Sequence, residues 1–346
     1  MATKIMLLGS VPIENDPGTF GGVTVLNVSL IKFLKEEGCN YTFVPFNKFG
    51  TGSLRIINPF YMVFAFLFRL LPCDVIFLNV TKKGIYYVSP VLFIISKLFR
   101  KEFIVRIFAG NLDVSYNASN YMQKIIVKLT VFRSDTIYVE TKYLVKYLRD
   151  LGVKTKIGWL PNCRKPHLSA HHEQKRSFRK RFVFVSHVKS TKGIHEIIKA
   201  SDHLDSEYVI DVYGPIVDKT VLAADFDGVP VNYKGVLNPD DVISTLLKYD
   251  VLLLPTYHPG EGYPGIIIEA KSIGMPVITT KWGAIDEIVV HGYDGLLVDI
   301  KDSAQLKYAI ESIDDSLYQN LSKNAALSFS EFNERSVYEN IFKDLC

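Results

Sequence analysis

The chain has 346 residues, 48% of them apolar, which is more than one ordinary hydrophobic core and excludes a low-complexity or intrinsically unfolded protein. The net charge is only +4, yet the first 160 residues hold 20 Lys and Arg against 10 Asp and Glu, while the remainder holds 20 against 26. A basic first half fits a solvated surface, and equally an anionic membrane or a phosphorylated acceptor; in the basic cluster at 175–181 the interleaved aromatics of a nucleic-acid site are scarce.

The elements follow a strand–helix rhythm that occurs twice. In the first half, Ile5–Leu8, Tyr41–Pro45, Val75–Val80, Phe103–Phe108, Thr136–Val139 and Lys156–Leu160 read as strands. Helices are expected over Val23–Glu37, Pro59–Leu71, Tyr86–Phe99, Tyr121–Val131 and Thr141–Leu151. The start, MATKIMLLGS, reads as a first strand and not as a signal peptide, and Pro59–Leu71 is too short and too interrupted to span a bilayer. Pro161–Arg181 breaks the rhythm. In the second half, strands are expected at Phe182–Ser186, Tyr208–Tyr213, Val231–Tyr233, Val251–Leu254, Val277–Thr279 and Gly295–Val298, with helices at Gly193–Ala200, Pro239–Lys248, after Pro264, and from Ser303 onward. The alternation predicts two doubly wound α/β domains: 1–163, a linker at 164–181, and 182–329. The final stretch, 330–346, is expected to pack back on the first domain. Cys39, Cys73, Cys163 and Cys346 are widely spaced with no C-x-x-C, so reduced thiols of a cytoplasmic protein are expected, with neither a disulfide framework nor a zinc site.

The most informative segment is 252–278, LLLPTYHPGEGYPGIIIEAKSIGMPVI. An apolar strand enters a Gly/Pro loop, and a short helix follows that starts near Pro264 and stops near Gly274. Its first turn, about Tyr263 to Ile266, exposes unpaired N–H groups at the positive end of the helix dipole, which suits phosphate. Gly260, Gly262 and Gly265 allow an anion close to the backbone. Glu269 lies one helical turn further on, an acceptor-only group suited to a ribose diol, and Glu261 in the loop suits a sugar hydroxyl or a developing charge.

Other candidates stand at strand ends. Gly21-Gly22 precedes the first helix but lacks G-x-G-x-x-G, which argues against a nicotinamide dinucleotide. Lys192 follows the strand at 182–186 and suits a diphosphate; His187 is read either as a phosphate donor or as a strand cap, and Lys189 as solvated. Asp225-Phe226-Asp227 has a D-x-D pattern but lies in a polar loop, and is read as a surface turn. Arg106, Asn111 and Asp113 surround the end of the strand at 103–108, where a cleft opening is expected, and are the acceptor-side candidates; an arginine in an apolar run requires an ion-pair partner or a ligand.

With these residues assembled, the chain resembles the family-4 retaining glycosyltransferases with the GT-B fold. The resemblance is strongest over 183–299 and rests on Lys192-Gly193, V-Y-G-P at 212–215, Y-K-G-V at 233–236, the pair Glu261 and Glu269, G-M-P-V-I at 274–278, W-G-A-I-D-E-I-V at 282–289 and G-Y-D-G-L-L-V at 292–298, with Gly21-Gly22 and L-P-N at 160–162. It implies two Rossmann-like domains around a cleft and a nucleoside diphosphate sugar donor, most commonly of uridine, with guanosine diphosphate mannose second. Carried over residue by residue, it implies that Glu269 holds ribose, that Lys192 and the Gly265–Ile266 backbone hold phosphates, and that Glu261 meets the transferred sugar. Gly22 would close on the diphosphate, and the base would lie near Gly214, Gly235 and Val236. No metal or other cofactor is implied. Two departures stand out: His187 occupies the place of the family's usual Arg, and I-F-A-G-N at 107–111 lacks the His common in relatives, leaving Asn111 or Asp113 to serve there.

The expected function is transfer of a hexose to a lipid-linked or growing-polysaccharide hydroxyl at the inner face of a membrane. A nucleotide-sugar epimerase or hydrolase on the same fold, and a non-catalytic sugar-nucleotide binding protein, are the competing expectations.

Overall fold

Short apolar runs buried on both faces build parallel sheets, and the computed structural model of the chain has two of them, each six-stranded and parallel throughout. It describes residues 3–13, 21–49, 56–167, 177–343 and 345–346. Contacts divide the chain into two units, Met1–Pro161 with Arg335–Cys346, and Asn162–Glu334.

The first unit runs β1 (Ile5–Gly9), α1 (Gly22–Glu36), β2 (Tyr41–Pro45), α2 (Asn58–Leu70), β3 (Val75–Thr81), α3 (Lys82–Tyr87), α4 (Ser89–Leu98), β4 (Glu102–Phe108), α5 (Leu112–Asn117), α6 (Tyr121–Leu129), β5 (Thr136–Val139), α7 (Lys142–Asp150) and β6 (Lys156–Trp159). The strand order is β2-β1-β3-β4-β5-β6, so the winding reverses between β1 and β3. Such a reversal opens a crevice at the carboxyl ends of the strands. Met6, Leu8, Ile76, Leu78, Phe103 and Val105 face one side of the sheet and join one apolar cluster with residues of α2, α3, α4 and α7. On the other side, Phe77 and Tyr138 stack with ring centroids 6.1 Å apart, and Phe342 lies 5.1 Å from Phe77.

Three details differ from the sequence expectation. The helix expected over 86–99 is two helices, because Pro90 has no N–H to continue α3 and instead sits in the first turn of α4. α5 was not anticipated: six residues are too few to show a period. The helix expected over 239–248 begins as a 3-10 turn, Pro239–Asp241, before α9 (Val242–Leu246).

The second unit runs β7 (Arg181–Val185), α8 (Ile194–Ser201), β8 (Val209–Tyr213), β9 (Val231–Tyr233), α9 (Val242–Leu246), β10 (Val251–Leu254), α10 (Gly265–Ser272), β11 (Val277–Thr280), β12 (Gly295–Val298), α11 (Ser303–Glu311) and α12 (Asp315–Ser328). Its order, β12-β11-β10-β7-β8-β9, reverses between β7 and β10. The described part of 164–181 belongs to this unit. Arg179 grips Asp250 through Nη2 (2.9 Å), Nε (3.1 Å) and its backbone N–H (2.9 Å), at the foot of β10.

α10 is pinned at both ends. At its carboxyl end Gly274 takes φ +67, and the N–H groups of Gly274 and Met275 bond the carbonyls of Lys271 and Ala270, both at 2.9 Å, the pattern of a Schellman stop. Lys271, 1% exposed, donates to Asp294 (2.7 Å), to Ser328 Oγ (3.1 Å) and to the Ile288 carbonyl. Burial lowers the Lys271 pKa, and Asp294 acts against that.

The last helix, α13 (Glu334–Phe342), carries the residues that rejoin the first unit. Tyr338 and Phe342 lie 5.3 and 6.4 Å from Phe33 of α1, and Tyr338 Oη bonds Ser29 Oγ at 3.2 Å. This return corrects the expectation of four reduced thiols. Cys346 is brought to the turn after α1 and forms a disulfide with Cys39, with Cα atoms 4.8 Å apart. A separation of 307 residues concealed the pairing, because no local spacing signals it. Cys73 and Cys163 are buried and lie outside the disulfide. Denatured without reductant, the protein is expected to show two titratable thiols, and four after reduction; Cys346→Ser should leave three without reductant.

Candidate functional site

In the second unit the sequence-selected residues collect at the carboxyl ends of β7, β8 and β10, where the winding reverses. From β7 the chain passes through His187 into a 3-10 turn, Ser190–Lys192. The turn is held by Asp218, which accepts from the Ser190 N–H at 3.0 Å and its hydroxyl at 2.7 Å. The Thr220 N–H, with these Ser190 donors, keeps the Asp218 carboxyl well below the usual range. At the end of β8, Gly214 adopts φ +138, and a methyl group there would lie 1.8 Å from the Ser186 carbonyl oxygen. Only glycine allows β7 and β8 to meet so closely. The Gly214 N–H bonds the Gly235 carbonyl at 2.8 Å, and Val236 beside it is exposed.

Lys192 is buried, and its ammonium pairs with Glu261, the first glutamate of the loop after β10. Thr256 Oγ1 donates to the same Glu261 oxygen at 3.0 Å. The structure thus joins two residues 69 positions apart that the sequence selected separately. Lys189, read as solvated, lies 3.3 Å from His258 Nδ1, and Thr191 Oγ1 is equally close to that nitrogen. Burial, then Lys189 and Lys192, lower the pKa of both His187 and His258, so both rings are neutral at neutral pH.

The loop returns to α10 through Gly262, Tyr263 and Pro264. Pro264 is the residue before the helix, one position earlier than expected, with φ −58 and ψ 121. No side chain caps α10, so the N–H groups of Gly265 and Ile266 are free of intrahelical or side-chain acceptors. Tyr263 offers only its backbone: its ring packs edge-on against Phe332 at 6.0 Å and its hydroxyl donates to Glu287.

Sequence reasoning missed Arg164. Its Nε donates to Glu269 Oε1 at 2.6 Å, and its Nη1 to Asn162 Oδ1 at 2.5 Å and the Cys163 carbonyl at 2.9 Å. Its Nη2 reaches over the start of α10, 2.2 Å from where a Cβ on Gly265 would sit. Gly265 is therefore needed for the guanidinium as well as for any anion. Asn162 Nδ2 donates to the Tyr263 carbonyl at 3.0 Å, tying the segment to the loop. The L-P-N motif at 160–162 was the available signal, two residues short. The resulting cluster sets Lys189, Lys192 and Arg164 around an uncapped helix start, with Glu261 and Glu269 on either side. This suits an anionic ligand bearing hydroxyls.

The first-unit candidates are placed differently. Gly21 precedes α1, its N–H bonded to Thr24 Oγ1 at 3.0 Å; side chains at Gly21 or Gly22 would meet none of the described residues within 4 Å. Arg106 is fully buried. The ion pair expected for it is not found: among the described residues Nη2 donates to the Pro161 carbonyl at 3.1 Å, the guanidinium lies 4.4 Å from the Phe108 ring centre, and Nε and Nη1 have no partner. It is a buried cation under β4 and offers no exposed surface to an acceptor. Asn111 begins α5, and Asp113 accepts from the Tyr143 hydroxyl at 2.8 Å, which pushes that phenol up to about 12. Asp225 accepts from the Leu222 N–H at 2.9 Å, closing its own turn.

Two outcomes are expected. Arg164→Met should weaken nucleoside diphosphate binding about tenfold or more, the scale of a hydrogen bond to a charged group, read by calorimetry. A bound diphosphate favours imidazolium, so binding takes up protons and should tighten roughly tenfold per unit of pKa rise as pH falls from neutrality through the imidazole range. A His187→Asn, His258→Asn variant should lose that slope.

The comparisons with known proteins agree with this geometry. Residues 169–327 match the family described as glycosyl transferases group 1. The chain is 27% identical over 156 residues to the N,N'-diacetylbacillosaminyl-diphospho-undecaprenol alpha-1,3-N-acetylgalactosaminyltransferase of Campylobacter jejuni, covering 44% of this chain and 40% of that protein. It is 29% identical over 168 residues to the capsular polysaccharide biosynthesis glycosyltransferase CapM of Staphylococcus aureus, covering 46% and 43%. The chain thus spans about two fifths of the length of these curated relatives. Among solved structures, Anabaena HepE in complex with UDP superposes with a TM-score of 0.72, and a sucrose-phosphate synthase of Thermosynechococcus elongatus with 0.73, each at 16% identity and over 99% of both chains. Residues 169–327 are accordingly similar to the glycosyl transferases group 1, within a chain that has the two-sheet GT-B fold.

Proposed function

We propose that the chain is a retaining glycosyltransferase that moves a hexose from a uridine diphosphate sugar to a hydroxyl of a lipid-linked or polysaccharide acceptor at the inner face of a membrane. The observation that carries the reading is the buried Lys192–Glu261 pair beside the uncapped start of α10. A cation held next to free N–H groups suits a diphosphate, and a carboxylate held next to the cation suits the sugar attached to it.

Each residue then has a task. The Gly265 and Ile266 N–H groups and Lys192 receive the diphosphate and stabilise the charge that grows on it as the donor bond breaks. Glu269 has one oxygen on Arg164 and the other available for the ribose hydroxyls. Glu261 orients the hexose. The base lies along Gly214, Gly235 and Val236. The resemblance also assigns Gly21 and Gly22 to the diphosphate; on the acceptor side, where the chain departs from the family, Asn111 or Asp113 serves instead. In the reaction the bond between the anomeric carbon and the phosphate oxygen breaks, and the acceptor oxygen bonds to that carbon on the same face. The acceptor proton passes to the departing phosphate oxygen. No metal is needed, because Lys192 and the helix start carry the leaving charge.

Lys192→Ala and Glu261→Ala are each expected to lower kcat by about a hundredfold or more, the scale of one lost electrostatic contact in a transition state, with the fold retained by circular dichroism. Full activity in both variants would overturn the assignment, and an inverted anomeric centre in the product, read by NMR, would overturn retention. Turnover of the donor with no acceptor present would favour an epimerase or hydrolase.

A further inference from the structure

α2 is apolar all round. Its inner side, including Met62, Phe66 and Leu70, joins the cluster beneath the first sheet. Its outer side carries Phe60, Phe64, Phe68 and Leu71, which are 75, 69, 77 and 70% exposed. The four follow a spacing of about one helical turn and so form a single stripe, with the Phe64 and Phe68 rings stacked 6.4 Å apart. α4 covers the same cluster and adds exposed Ile94 and Leu98. A soluble helix presents polar residues on this side, and a contiguous apolar face of this kind marks an interaction surface.

The charge around the stripe points to the occupant. Residues 56–102 contain six Lys and Arg, of which Lys97 pairs with Asp135, and two acids, exposed Glu102 and Asp74, whose carboxylate already accepts from the Lys4 N–H at 2.9 Å. Lys82, Lys83 and Arg100 are exposed, and Arg100 stands at φ +53 in the turn after α4. A second copy of the chain, docked about a two-fold axis, would place this positive face against itself. An anionic bilayer takes both features at once, with aromatic and aliphatic side chains at the acyl boundary and Lys and Arg at the headgroups.

We infer that the outer face of α2 and α4 docks on a bilayer containing anionic phospholipid. This deepens the transferase reading by naming the surface at which a lipid-linked acceptor is met, and it rests on that reading for its purpose alone.

The test is flotation of the full chain with vesicles of phosphatidylcholine, with or without phosphatidylglycerol. In parallel, sedimentation reports self-association and donor turnover is measured with a soluble acceptor. The wild type is expected to float with the anionic vesicles and to be released by salt. Phe64→Ser combined with Phe68→Ser should weaken binding about tenfold or more, the scale of one large side chain removed from an apolar phase. Should that variant fail to fold, Lys82→Glu with Lys83→Glu carries the test, and is expected to abolish the preference for anionic vesicles. Absence of flotation in the wild type overturns the proposal, as does flotation unchanged by either variant. A dimer that the Phe variant dissolves, without flotation, overturns it in favour of a second copy. Turnover without flotation removes the docking surface and leaves the transferase, whereas flotation without turnover does the reverse.

Discussion

The buried Lys271–Asp294 ion pair is the constraint on which the second unit turns. Two charges withdrawn from water at about one hundredth of their full exposure are tolerable only when each finds its complement. Lys271 spends its three donors on Asp294, Ser328 and the Ile288 carbonyl, and Asp294 also accepts from the Val290 N–H at 2.8 Å. The pair therefore locks the far end of α10 to the segment leading into β12 and to the end of α12. A helix of eight residues has little stability of its own. With its carboxyl end fixed by charge and by the Gly274 stop, its amino end can remain uncapped and turned toward a ligand.

The same economy shapes the loop before it. Lys192 and Glu261 neutralise one another, which removes the cost of burying either, and leaves a polar pair that a ligand with a charge and hydroxyls can divide. The two neighbouring histidines are kept neutral by burial and by nearby ammonium groups. The cationic side chains of this cluster are therefore Lys189, Lys192 and Arg164. Arg164 supplies the guanidinium of this cluster, beside Glu269, while position 187 holds an imidazole.

Most of the architecture could be read from the chain because buried parallel strands are uninterrupted apolar runs and the connections are amphipathic. The loop before α10 was legible as a strand-to-helix turn because glycine and proline punctuate it between an apolar strand and a short helix. What stayed hidden depends on distance along the chain. Arg164 acquires meaning only from Glu269, 105 residues later, and Cys39 only from Cys346. Arg106 was read as needing an ion-pair partner or a ligand, and among the described residues it has a carbonyl and an aromatic ring instead. The outer stripe of α2 was legible only as an apolar run too short to span a bilayer, since hydropathy alone does not tell a helix covered on every side from one left bare on one.

The disulfide has a consequence for how the chain is made. The first unit is finished by residues 335–346, which leave the ribosome only after the whole of 162–334. Until then Phe33 of α1 and Phe77 of β3 lack the rings of Tyr338 and Phe342 that cover them. The second unit is contiguous and has no such wait. Synthesis should therefore reverse the usual amino-to-carboxyl order of maturation: the later unit folds first, and the earlier one stays open until its last helix arrives and Cys346 closes the ring on Cys39.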